Sequence, residues 1–355
     1  MADVALGIDI GGTKVAAALV AADGTILGRA RGAVAPQSNE AGLASITAVV
    51  DQLLDSHLPA GQRLLGIGAG APGAIDWRGG VLLSAANLAW KALPLAAGLR
   101  RRYGVPALLD NDVNIAAWGE RCYGAGATPA TPAAPQNKGE RSAPLSDLVF
   151  ITVGTGIGAG LIEAGRIVRG RRSAGEIGHV PLFEEGPLCR CGMVGCLEAL
   201  ASGPALGDAG RRLAAAGEAP GLLAMAGGVV EAITAPLVVQ AALGGDAGAG
   251  RLLDREGYYL ALAVMIAVRM LDPQRVVLGG GLAEAGRPLF EALWANLARI
   301  APRMRDPRAY VVPASLGADA GAVGGAALIH HPEPGFAGAG LVATGGPGGA
   351  PASLR

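Results

Sequence analysis

Two stretches of this chain share one design: an apolar strand, a turn of glycine and threonine, then a second apolar strand. The first is "GIDIGGTKVAAALV", Gly7 to Val20, and the second is "LVFITVGTGIGAGLI", starting at Leu148. Val4–Ile10 and Lys14–Val20 read as strands on either side of Gly11-Gly12, a pair that lets the backbone reverse tightly. A unit used twice predicts an internally duplicated α/β architecture with a ligand between the halves.

The first stretch holds nearly every element of a phosphate-binding P-loop, in the wrong order. Gly7 and Gly12 are correctly spaced, but Thr13 precedes Lys14. Val15 to Val20 is strand-like where a P-loop opens into a helix, so that reading is rejected. A Gly-Gly turn between strands can still aim backbone N–H groups at an anion. Thr13 adds a hydroxyl, Lys14 a charge, and Asp9 a carboxylate able to hold a hydrated Mg²⁺ that bridges phosphates. An ordinary hairpin turn would look the same in isolation. The second unit offers Gly154, Thr155 and Gly156 after its strand, and its glycines miss the G-x-G-x-x-G spacing because position 159 is alanine. Two Gly/Thr hairpins are what a split phosphate site needs.

At 355 residues, 51% of them hydrophobic, the chain is long enough for two domains. Its 29 basic and 29 acidic residues cancel, which argues against a polyanion-binding surface and a nucleic-acid partner. Asp3 and Asp9 interrupt the N-terminus, so no secretory signal is read. The longest apolar stretch, Tyr258 to Leu271, is too short to cross a bilayer and carries Arg269. A cytoplasmic protein with no membrane contact is expected.

Helical spacing runs over Glu40–Leu54, strand character over Leu64–Ala69 and Pro106–Leu109, and a helix follows from Val113. Tyr258–Leu271 reads as a buried helix stopped by Asp272-Pro273, and Arg275–Leu278 as a strand entering "GGGLAEAG" and another helix. Residues 124–145 are rich in Pro, Ala, Gly and polar residues and predict an inserted surface loop; residues 332–355 predict a disordered tail.

Cys189, Cys191 and Cys196 lie within eight positions, and His179 sits ten residues before the first. Three thiolates and an imidazole make a closed, structural Zn²⁺ site. Disulfide pairing is the alternative, but three clustered cysteines cannot pair evenly. Cys122 stands outside the cluster.

The ordered motifs "DIGGTK", "DNDVN", "TVGTGIGAGL", "GEIGH", "CRCGMVGCLE" and "VVLGGGL" resemble those of the ROK family of sugar kinases and sugar-responsive repressors, over roughly residues 4 to 330. The resemblance implies the actin/hexokinase-like (ribonuclease H-like) α/β fold: two domains with a central cleft that closes on sugar. The expected division is a small domain over 1–117, rejoined by about 306–331, and a large domain with the zinc motif over 118–305. A homodimer is also implied.

By the same resemblance Asp112 is the general base and Asn111 a sugar ligand, with Glu176, Glu198 and the second nitrogen of His179 accepting or donating to sugar hydroxyls. Read from residues alone, Asp112 between a strand and a helix is an N-cap, and each glutamate a solvated charge. Gly73 and Asn87 are weaker sugar-loop candidates, since turns also need Gly and Asn. Gly279, Gly280 and Gly281 resemble an adenosine-contact loop. The implied chemistry is in-line transfer of the γ-phosphoryl of ATP to a primary hydroxyl, glucose giving glucose 6-phosphate. Alternatives are an N-acetylmannosamine, N-acetylglucosamine or fructose kinase, polyphosphate as donor, or a sugar-sensing regulator lacking its DNA-binding domain, for which eight residues before Asp9 leave no room.

Overall fold

The computed structural model describes residues 3–58, 61–85, 88–127, 143–171, 173–304 and 306–336. It divides into two compact units: the chain up to Asp112 together with residues from Ala322 on, and Val113–Gly321.

The first unit is built on a five-stranded sheet. Its strands are β1 (Val4–Ile10), β2 (Lys14–Ala21), β3 (Ile26–Ala33), β4 (Leu64–Ala71) and β8 (Ala107–Asn111), in the order β3-β2-β1-β4-β8. β1 to β3 pair antiparallel, whereas β4 and β8 join β1 in parallel. Strands buried on both faces explain the continuous apolar runs, such as "VALGIDI" in β1. A small antiparallel sheet of β5 (Ala74–Asp76), β6 (Val81–Ala85) and β7 (Leu88–Leu93) follows β4. Three helices complete this part: α1 (Asn39–His57), α2 (Leu95–Tyr103) and α3 (Asp112–Tyr123), the last crossing into the second unit. Ser38 caps α1 by accepting from the Ala41 N–H at 3.2 Å, and Ile46, Val50 and Leu53 bury its inner face.

The second unit repeats the plan. Its sheet contains β9 (Leu148–Val153), β10 (Ile157–Glu163), β11 (Arg166–Ile167), β12 (Arg275–Gly279) and β13 (Val311–Pro313), in the order β11-β10-β9-β12-β13. Here too the first three strands pair antiparallel and the last two parallel. The order matches the first sheet position by position, so the duplication read from the two hairpins extends to the whole sheet.

The helices α4 (Leu197–Ala201), α5 (Gly203–Ala215), α6 (Pro220–Met225), α7 (Ala235–Leu243), α8 (Ala247–Leu271), α9 (Arg287–Ile300) and α10 (Pro307–Tyr310) belong to this unit, and α11 (Ala320–His330) returns the chain to the first. The helix expected over Tyr258–Leu271 starts eleven residues earlier, because Asp246 caps it by accepting from the Ala249 N–H at 2.9 Å. Cys122 is buried, and burial pushes its thiol up to about 12, so it behaves as an inert core residue.

α11 explains the glycine that mimicked a P-loop. A Cβ on Gly7 would lie 1.6 Å from the Ala322 carbonyl oxygen, and one on Gly68 would lie 1.9 Å from that of Gly325. Gly7 is there to let a helix touch the sheet.

Of the expected loop, residues 128–142 lie outside the described residues. Its ends meet: the Leu145 N–H donates to the Gly126 carbonyl at 3.0 Å. Residues 332–336 correct the expected tail, since Glu333 and Phe336 are buried; residues 337–355 are outside the described ones. Among the described residues no helix is long and apolar enough to cross a membrane.

Candidate active site

In the first unit the parallel strands β1, β4 and β8 end side by side, and the candidates gather at their carboxyl ends, the usual ligand-binding edge of such a sheet. Asp9 is in register with Gly70, and Gly70 with Asp110. Asn111 closes β8 and Asp112 opens α3. The Asp9 carboxyl is pushed up to about 6, first by burial and then by the charge of Asp112, so the two carboxylates sense each other. Asp110, which the motif reading passed over, is almost fully buried and accepts from the Asn111 N–H at 2.7 Å.

The β1–β2 turn is an ordinary hairpin in form. The Gly11 N–H donates to the Lys14 carbonyl at 2.8 Å, the Val34 N–H donates to that of Thr13 at 3.0 Å, and the Thr13 and Lys14 side chains stand exposed. Gly12 lies between Gly11 and Thr13 in this turn. Gly73 follows β4 with φ +91, and a Cβ there would lie 2.3 Å from the Ser84 carbonyl, so the backbone alone demands glycine. Asn87 falls outside the described residues.

In the second unit the cysteine loop and "GEIGH" are folded onto β10. The Ala159 N–H donates to the Gly175 carbonyl at 2.7 Å, Cys196 bridges to Pro181, and Leu188 bridges to Val194. This brings one ligand atom each from His179, Cys189, Cys191 and Cys196 within 4.8 Å of one another. His179 Nδ1 lies 3.6 Å from the Cys189 sulfur, and the Cys191 and Cys196 sulfurs are 3.6 Å apart. Tetrahedral zinc with Zn–S bonds of about 2.3 Å requires sulfurs about 3.8 Å apart, so donor set and spacing both fit that ion. The other ring nitrogen of His179, Nε2, faces Glu176 Oε2 at 3.9 Å.

The cysteine loop leads directly into α4, which carries Glu198 in its first turn. Glu198 Oε2 accepts from the Ile157 N–H at 3.0 Å, and a Cβ on Gly156 would lie 2.6 Å from that oxygen. Gly156 therefore makes room for Glu198 at the exit of the Gly/Thr turn. Three sugar candidates, Glu176, His179 and Glu198, thus sit on one piece of backbone tied to that turn.

Next to the turn lies a cavity of about 730 Å³, within the range of sites that hold a nucleotide-sized ligand. Its walls are Gly154 and Thr155, the start of α5 at Gly203 and Pro204, the face of α7 from Thr234 to Leu243, and Gly281 to Ala285 after β12. The Gly203 N–H donates to the Gly154 carbonyl at 2.8 Å and the Leu282 N–H to that of Val153 at 2.9 Å, which fixes the walls to one another. α5 presents its N-terminal end here, where the helix dipole favours an anion.

Of the glycines expected to contact a nucleotide, Gly154 and Gly281 line the cavity with Thr155. Gly279 and Gly280 do not: a Cβ on Gly279 would strike the Phe150 ring at 2.7 Å, and Gly280, with φ +87, packs against the Val153 carbonyl. Arg211, Gln240 and Glu284 line the cavity and carry no local sequence signal, because they come from helices whose convergence only the fold reveals.

The ROK family model matches residues 5–332. A glucokinase of Halalkalibacterium halodurans is 34% identical over 338 residues, covering 92% of this chain and 95% of that protein. An N-acetylmannosamine kinase of Escherichia coli O157:H7 is 33% identical over 296 residues, covering 82% and 88%. Among solved structures, a ROK family glucokinase from Streptomyces griseus in complex with glucose and AMPPNP superposes with a TM-score of 0.74 at 32% identity, covering 92% of this chain and 98% of that one. The match spans both duplicated sheets, the Gly/Thr turns and the His–Cys₃ loop, and this chain belongs to the ROK family.

Proposed function

We propose that this chain is a sugar kinase that transfers the γ-phosphoryl group of ATP to glucose, giving glucose 6-phosphate. The observation that carries the reading is the nucleotide-sized cavity walled by Gly154, Thr155, the α5 N-terminus and Gly281, which a kinase needs and a pure sugar sensor does not. Support for the sugar comes from the 34% identical glucokinase and from the related enzyme solved with glucose and an ATP analogue.

Phosphoryl transfer leaves little covalent work to the protein; alignment and charge stabilisation supply most of the rate. Asn111, Glu176, His179 and Glu198 fix the sugar hydroxyls. Asp112 accepts the proton of the attacking primary hydroxyl as the O–P bond forms and the bond to ADP breaks. The N–H groups of Gly12, Thr13, Thr155 and Gly156, with the Thr13 and Thr155 hydroxyls and Lys14, hold phosphate oxygens, while those of Gly11 and Gly154 close their own turns onto the Lys14 and Gly156 carbonyls. Mg²⁺ bound with ATP would neutralise phosphate charge, and Asp9 is the carboxylate that would hold its water shell. Zinc, held by His179, Cys189, Cys191 and Cys196, would fix the loop and take no part in the transfer.

A panel of hexoses with ATP and Mg²⁺, read by ADP release, tests the proposal, with polyphosphate as a second donor. Turnover of N-acetylmannosamine without glucose would replace glucose with the second reading, which the 33% identical N-acetylmannosamine kinase supports. No turnover of any sugar, with sugar binding retained, would favour a sensor.

A further inference from the structure

The small sheet β5–β7 begins one residue after Gly73, a sugar-loop candidate, and its strands are only three to six residues long. Sheets this short are not stable alone and need tertiary anchors. Its β7 side is fastened to the segment around α1: Trp90 Nε1 donates to the Ala35 carbonyl at 3.0 Å, and the Lys91 N–H donates to Asn39 Oδ1 at 3.0 Å. The turn at its other end, between β5 and β6, contains Trp77. There the Gly79 N–H donates to Asp76 Oδ1 at 3.1 Å, and the Ala96 N–H at the start of α2 donates to the Gly80 carbonyl at 3.1 Å.

Trp77 has an aromatic neighbour from the far end of the chain. The Phe336 ring meets it edge to face, with centroids 5.3 Å apart and planes at 85°, while the guanidinium carbon of Arg78 lies 4.3 Å from the centroid of the Trp77 ring. Phe336 is only 5% exposed, and its N–H donates to the Glu333 carbonyl at 2.9 Å within a single 3₁₀ turn, Pro334–Phe336. Both residues lie beyond position 332, where the family match stops. Segments near a chain end are loose unless something ties them down; here the buried Glu333 and Phe336 do so, and the Phe336 ring rests on the turn of the small sheet.

We propose that Phe336 is a positioning residue for the sugar: it holds the Trp77 turn, and through it the sheet β5–β7 entered at Gly73. The inference rests on the sugar-kinase reading given above. Phe336 acts through the first unit alone, whereas the nucleotide cavity is lined by residues of the second. Its loss must therefore separate the two substrates.

The test uses full-length Phe336→Ala and Phe336→Leu, with steady-state kinetics in each substrate, melting temperature, and amide hydrogen exchange in peptides covering Ala74–Asp76 and Leu88–Leu93. An aromatic pair of this geometry is worth about 2- to 10-fold in an equilibrium. The expected result is a rise of that size in KM for glucose in the alanine variant and a smaller one in the leucine variant. Exchange in the two peptides should quicken, with KM for ATP and kcat within about twofold of wild type. An unchanged KM for glucose in a folded variant overturns the proposal, whether or not the melting temperature falls, because a merely structural role moves stability alone. Equal rises in both KM values overturn it too. Should the alanine variant fail to fold, the leucine variant decides. Failure of the underlying reading is visible separately, as wild-type protein that phosphorylates no hexose.

Discussion

Nε2 of His179 faces Oε2 of Glu176 at 3.9 Å, while its Nδ1 lies 3.6 Å from the Cys189 sulfur. One imidazole therefore links the His–Cys₃ cluster to a candidate sugar ligand. Protein purified without chelator is expected to hold about one Zn²⁺ per chain. Stripping the metal should raise KM for glucose by about 10- to 100-fold, the usual cost of losing support around a site, with a much smaller change in KM for ATP. Metal analysis alongside kinetics checks this. Full activity at less than about a tenth of an equivalent would remove zinc from the account.

Asp112→Asn separates a base from a helix cap. Asn caps helices about as well as Asp, so the melting temperature should stay near wild type in either case. A base lost should lower kcat by about 10² to 10⁴ while part of the glucose affinity survives through Asn111, Glu176, His179 and Glu198. Near-normal kcat would return Asp112 to a structural part.

Asp9 gives a pH signature. Its native carboxyl titrates at about 6 against 3.8 for the free side chain, raised first by burial and then by Asp112. A raised carboxyl is at no disadvantage in the native state below pH 3.8, and its contribution to stability is lost as pH climbs through 6. Asp9→Asn should therefore stabilise the ligand-free protein increasingly between pH 4 and pH 7, reaching about 3 kcal/mol, while abolishing Mg²⁺-dependent turnover. Urea unfolding at pH 4 and pH 7.5 reads the difference. An equal gain at both values would show that ionisation is not the cause.

Gly281 has nothing within 4 Å of an added Cβ and needs no positive φ, yet it lines the cavity. Gly281→Leu should fold normally and push its side chain into the cavity proposed to hold the nucleotide. KM for ATP should rise about 10-fold or more, the equivalent of about 1.4 kcal/mol, with KM for glucose unchanged. Parallel shifts in both would place the residue elsewhere in the chemistry.

The segment 128–142 should be dispensable, because the described residues on either side of it are already clamped together. Because Leu145 and Gly126 are already hydrogen-bonded at 3.0 Å, replacing residues 128–142 by a two- or three-residue turn asks nothing new of the backbone. Melting temperature and kcat within experimental scatter of wild type are expected. A chain that fails to fold would show that the segment packs on something.

What could be read beforehand follows the range of the forces involved. Strand hairpins, the β8–α3 junction and the metal cluster are local: apolar runs, glycine pairs and ligand spacing write them within twenty residues. Gly7 was misleading because its reason lies at Ala322, more than three hundred positions away. Gly156 could be read as a phosphate glycine, yet it is also shaped by Glu198. Arg211, Gln240 and Glu284 were invisible since no periodicity says which helices will face one cavity. Asp110 was overlooked beside its neighbours, although burial marks it out.

The first unit is discontinuous along the chain, and this fixes an order of events during synthesis. Its sheet leaves the ribosome early, but α11, whose carbonyls press against Gly7 and Gly68, is encoded roughly 200 residues after Asp112. At about 5–20 residues per second, translation leaves that sheet face waiting on the order of 10–40 s for its cover. The second unit, one continuous segment, can finish in the interval. Sequences that slow translation late in the message should therefore lower soluble yield by prolonging exposure of an apolar sheet, whereas slowing near the start should not.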